Sequence, residues 1–149
     1  MMSSDHSPRL FARAAEIRAT GEAMLACTLP KAAWTHEAHL STCLWLLTER
    51  PDIDVDAQIG DLIGRYNVSV GGVNDDHAGY HETITRVFVA GIRRYLERSG
   101  ETDLLIAVNG LLASPEGRRD WPLRFYSRER LFSVAARRDF VPPDLGPLD

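Results

Sequence analysis

Apolar residues recur at three-to-four spacing along six stretches of the chain, and Pro, Gly and Asx residues break the pattern between them. Ser7-Pro8 reads as a helix start, followed by Leu10, Ala14, Ile17, Gly21 and Met24/Leu25, and this helix ends before Pro30. Thr35 can cap a second helix carried by Leu40, Cys43, Leu44 and Leu47 and stopped by Pro51. A third runs from about Asp54 to Tyr66, and the glycines and Asx residues of segment 67–76 make a loop. A fourth covers about Gly79 to Arg98 and ends at Ser99-Gly100. Thr102 can cap a fifth, with Leu104, Leu105, Val108, Leu111 and Leu112 in phase before Ser114-Pro115. Glu116 to Tyr126 is irregular, and a last helix spans Ser127 to about Arg138 on Leu131, Val134 and Ala135. Phe140 to Asp149 carries three prolines and is expected to lie extended over the surface. No alternating period of two appears, so the fold class is all-α: one domain over 1–149, a bundle of about five to six helices with an extended C-terminal segment.

Composition changes this picture little. At 149 residues the chain can bury roughly two thirds of its unfolded surface without a disulfide or structural metal. A metal here would serve function rather than folding. A net charge of −4 argues against a general nucleic-acid or anionic-membrane surface. Sixteen of the seventeen basic residues are arginine, with Lys31 the one lysine. Cys27 and Cys43 lack the spacing of a zinc or redox motif and read as reduced core residues. The polar Met1–Pro8 segment, His6 included, lacks the apolar run of a signal peptide, and no stretch is apolar for long enough to span a bilayer; a cytoplasmic location is expected.

The candidate chemistry is in the histidines. Four of the five fall in Thr35-His36-Glu37-Ala38-His39 and His77-Ala78-Gly79-Tyr80-His81-Glu82. His36 and His39 continue the apolar stripe of the second helix backward, and His81 falls in phase with Ile84, Phe88, Ile92 and Tyr95. With the second helix up, the third down and the fourth up, all three imidazoles are expected at one end of the bundle. Paired histidines at i and i+3 can chelate one ion, and His81 would close the site. The expected cofactor is a divalent transition metal, Zn, Fe or Mn, on His36, His39 and His81. Glu82 could be a ligand, a partner orienting a histidine, or the base on a metal-bound water, and Tyr80 and Tyr126 could hydrogen-bond a ligand. Arg124 and His77 are expected to meet a small-molecule substrate, anionic in the case of Arg124. The Gly71-Gly72 loop is expected to gate the site.

The order H-x-x-H, then G-Y-H-E-T-I-T over Gly79–Thr85, then R-F-Y-S over Arg124–Ser127 and a tail from Phe140 to Leu145 resembles a set of small uncharacterised bacterial helical proteins. The likeness covers roughly residues 34–145 and implies that His36, His39, His81, Glu82 and Tyr126 belong together; it implies no reaction. Three functions follow. One is a metal-binding bundle, extending to a small-molecule enzyme that activates water or dioxygen. Another is a metal-free pocket for acid–base chemistry or ligand binding. The last is an interaction module whose histidines are structural. Oligomeric state is not specified by the pattern.

Overall fold

The structure is a computed structural model and describes residues 7–148; His6, the rest of segment 1–6, and Asp149 lie outside the described residues. The described residues are helical without strands: α1 Ala14–Leu25, α2 His36–Glu49, α3 Val55–Ser69, α4 Glu82–Ser99, α5 Leu104–Leu112, and the short α6 Arg128–Leu131 and α7 Val134–Arg138. Three 3₁₀ turns, at Lys31–Ala33, Pro115–Gly117 and Trp121–Arg124, shape the connections. Among the described residues no helix is long and apolar enough to cross a membrane.

The main core forms where α2 runs through the middle of the bundle. Seven consecutive residues, Leu40–Leu46, are buried, because α2 is covered on several sides. Ile17 of α1, Leu40 and Leu44 of α2, Ile92 of α4 and Val108 and Leu111 of α5 meet there. α1 packs closest on α2, and Gly21 permits it, since a Cβ there would lie 2.3 Å from the Trp45 ring. α3 lies antiparallel to α4 and touches it sparingly, with Asp56 paired to Arg93 at 2.9 Å and Gly60 against Tyr80.

Several helix boundaries differ from expectation: α4 starts at Glu82 with His81 as its cap rather than near Gly79, and Asp103 rather than Thr102 caps α5, accepting from Ile106 N. The first helix begins at Ala14 rather than Ser7-Pro8: Glu16 Oε1 accepts from the backbone N–H groups of Ala12 and Arg13, while Asn109 of α5 pins Phe11 through both its backbone groups. Those bonds hold the preceding strand of chain extended. The last helix is two, because Ser127 and Ser133 each cap one through their hydroxyl groups, to Arg130 N and Ala136 N. The segment after Arg138 is extended as expected and tied down. Tyr126 donates to Val141 O at 2.6 Å, Ser127 binds Asp144, and Leu145 N donates to Phe125 O.

Tyr126 is fully buried and its hydroxyl is spent on that tail contact. Tyr126→Phe is therefore expected to lower stability by about 1 kcal/mol, measured by urea denaturation, with no change in ligand binding.

Candidate ligand pocket

His36 and His39 line one cavity. Thr35 caps α2, its hydroxyl accepting from Ala38 N at 3.1 Å, and this places His36 and His39 one turn apart on the same face. They wall a cavity of about 260 Å³ that is otherwise mostly apolar, built from Met24, Leu40, Ile63, Phe88 and Ile92 among others. Sparse contact between α3 and α4 leaves this space open.

Each imidazole has a distinct setting. His36 Nε2 lies 2.8 Å from Gly117 O, and a carbonyl only accepts, so Nε2 carries the proton and Nδ1 the lone pair. Its ring meets Phe88 edge-on at 5.7 Å. Burial lowers the His36 pKa most, against the Gly117 bond, and the Arg119 charge lowers it further. His39 lies against Trp34, ring centroids 4.0 Å apart, and Trp34 in turn lies against Tyr66. Crowding by protein pushes the His39 pKa down to about 4, with the nearby His36 adding to the effect. The ring nevertheless keeps an exposed edge.

The folded pKa of His39 thus lies below its ordinary 6.5. Between the two values the unfolded chain binds more protons, so this group makes stability rise with pH there and costs stability as pH falls through that window. His39→Gln is expected to flatten the dependence of the melting temperature on pH between 6.5 and about 4. An unchanged slope would show the ring to be solvated like a surface histidine.

Three further residues complete the wall. The Trp34 indole Nε1 and the Thr42 hydroxyl are buried without a hydrogen-bond partner among the described residues. Both residues line this cavity. Leaving such groups unpaired costs on the order of 1–3 kcal/mol each, which a fold tolerates where a ligand can supply partners. Arg119 also lines the cavity, with 66% of its side chain exposed and only a 4.0 Å approach to Glu37. Burial pushes the Cys43 thiol up to about 12, so Cys43 lines the cavity as an apolar group rather than a nucleophile.

The other expected residues lie elsewhere. His81 is the N-cap of α4: its Nδ1 accepts from Ile84 N at 3.1 Å, and its Nε2 donates to Leu131 O at 2.8 Å. Both ring nitrogens are engaged, which leaves no lone pair for a metal. The register explains the separation. His36 is level with Phe88, seven residues beyond His81 and so roughly 10 Å farther along α4. Tyr80 donates to Glu82 Oε1 at 2.7 Å, and Glu82 Oε2 accepts from Arg86, a chain on the outer side of α4 that lines none of this cavity. Gly79-Tyr80-His81-Glu82-Thr83 instead joins the loop to the C-terminal segment, because Thr83 Oγ1 donates to Asp139 O and accepts from Val141 N.

Arg124 is over the Trp121 ring at 5.3 Å and outside the cavity, whose wall includes Arg119 instead. His77 is exposed in the loop. The Gly71-Gly72 loop lines none of the cavity and is pinned by Asn74, whose side chain binds Gly64 O, Asn67 and Tyr80 N. Gly79, at φ +84°, passes so close to Val73 O that a Cβ would lie 2.0 Å from it.

Among the described residues no three His, Cys, Asp or Glu side chains stand together as a metal site. Compared with known proteins, the chain matches no family model, no curated protein and no solved structure.

Proposed function

We propose that the protein binds a small molecule in the cavity between α2, α3 and α4, its polar end met by His36 and His39 as neutral imidazoles. One observation carries this reading: the two buried side-chain polar atoms that lack partners among the described residues, Trp34 Nε1 and Thr42 Oγ1, belong to residues in the wall of the same cavity as both histidines. A concave apolar space with a few convergent polar groups is the usual form of a ligand site. The His36 lone pair and the open edge of His39 can accept a proton, so acid–base chemistry on the bound molecule belongs to the same reading.

Calorimetry with benzoate and hexanoate tests it. Binding by the native protein, weakened at least tenfold in Ile63→Trp, which fills the cavity from α3, is expected. Equal binding by the two proteins would place the site elsewhere.

A second reading keeps the metal. His36 and His39 retain i, i+3 spacing, and the bond from His36 Nε2 to Gly117 O leaves the lone pair on Nδ1. A Zn, Fe(II) or Mn ion held by this pair would take its remaining ligands from water or substrate. About one equivalent of metal in untagged protein, lost in His39→Ala, supports this reading, and less than about a tenth with no uptake on reconstitution removes it.

A further inference from the structure

The histidine cavity has a neighbour along α3 and α4. A second hollow of about 380 Å³ lies beside it, and Ile59 of α3 with Thr85 and Val89 of α4 line both. Thr85 and Val89 are one turn apart on α4, so with Ile59 they form the wall that the two spaces share. In the second hollow Ala90 supplies one wall, Phe140 and Leu148 of the C-terminal segment supply another, and the Asp56–Arg93 ion pair bridges α3 to α4 at the rim. Both hollows thus border α3 and α4, two helices that touch only sparingly.

Charge is unevenly disposed between them. At the far hollow Arg93 is bound through two hydrogen bonds to Asp56, and Arg86 is held by Glu82. At the histidine end Arg119 has, among the described residues, only the distant Glu37 carboxylate and is mostly exposed. The histidine cavity is therefore bordered by an incompletely neutralised guanidinium and the second hollow by carboxylate-paired ones. Behind Arg119 the wall offers apolar side chains and the neutral imidazoles.

Resting on the ligand-binding reading above, we propose that the natural ligand class is an elongated apolar monocarboxylate. Its carboxylate sits on Arg119 beside His36, and its chain passes between Ile59 and Thr85/Val89 into the hollow under Phe140. No covalent step is part of this assignment.

A calorimetric series of straight-chain carboxylates from butanoate to dodecanoate, each below its aggregation limit, tests it together with the matching alcohols. Affinity is expected to rise roughly fourfold per methylene past hexanoate, because each added methylene leaves water for the second hollow. Ala90→Trp, at an exposed position that borders only the far hollow, is expected to stop the rise at hexanoate while leaving butanoate unchanged. Arg119→Ala is expected to weaken the acids roughly tenfold and the alcohols not at all. If short acids bind but affinity is flat beyond hexanoate, or Ala90→Trp has no effect on decanoate, the elongated-ligand assignment falls and the pocket reading stands. Equal loss of acids and alcohols in Arg119→Ala overturns the carboxylate assignment. If neither benzoate nor any member of the series binds, the pocket reading falls and the assignment falls with it.

Discussion

His81→Ala is expected to lower stability by roughly 2–4 kcal/mol while leaving ligand binding unchanged. Two losses add. Ile84 N–H loses its cap, worth about 1 kcal/mol at a helix N-terminus, and Leu131 O is left buried without a donor, worth about 1–3 kcal/mol. The second bond also joins α4 to α6, fifty residues apart in sequence, so the C-terminal segment is expected to loosen with it. His81→Asn should recover the cap but not reach Leu131 and should fall about midway between the two proteins. Urea denaturation of the three proteins, with benzoate binding measured on each, checks this; loss of binding in folded His81→Ala would return His81 to the site.

Glu116→Ala is expected to have the other large effect, on stability and on the site together. The Glu116 side chain is 2% exposed and receives both guanidinium nitrogens of Arg98, with Arg94 at 3.5 Å. Burial alone would raise its pKa, but the hydrogen bonds and charge of Arg98 outweigh burial and hold it below the ordinary 4.5. Its contribution is present above that ordinary value and is lost as pH falls through the lower folded one. Removing the carboxylate leaves the two arginines on α4 facing each other without their shared anion, and a loss on the order of 2 kcal/mol follows, below that of a fully buried pair because both arginines remain half exposed. The consequence for the site comes through the next residue. Gly117 O is the acceptor that fixes the His36 tautomer, and the Pro115–Gly117 turn is held by Glu116. Glu116→Ala is therefore expected to weaken benzoate binding severalfold, read by calorimetry at a temperature where the variant remains folded. Unchanged affinity would show that His36 is oriented without this turn.

The helices were legible because apolar spacing of three to four survives wherever one face is buried, as on α4 and α5. Boundaries were less so. Pro8 imitates a first helical position, but Asn109, a hundred residues away, holds that segment extended, and no local pattern announces such a bond. Ser133 interrupts the last helix where Val134 and Ala135 still keep helical spacing.

In the site, His36 and His39 could be read from their phase on α2 because both point the way its apolar stripe points. His81 shares that phase on α4 yet sits at the cap, two turns below the level of His36, and phase says nothing about height along the axis. Trp34, Thr42 and Arg119 come from a turn, a buried helix and an irregular segment. Arg119 is one of sixteen arginines, and only the closing of Pro115–Gly117 onto α2 distinguishes it from the others.

The central claim is that the cavity of His36 and His39 binds ligand while His81 holds the fold. Its most direct test is a nitrogen-15 NMR titration with benzoate that follows the imidazole nitrogens and indole N–H groups. The account predicts shifts at His36, His39 and the Trp34 indole, with His81 keeping the signature of a neutral ring protonated at Nε2 throughout. Shifts centred on His81, Tyr80 and Glu82 with His39 unmoved would contradict it.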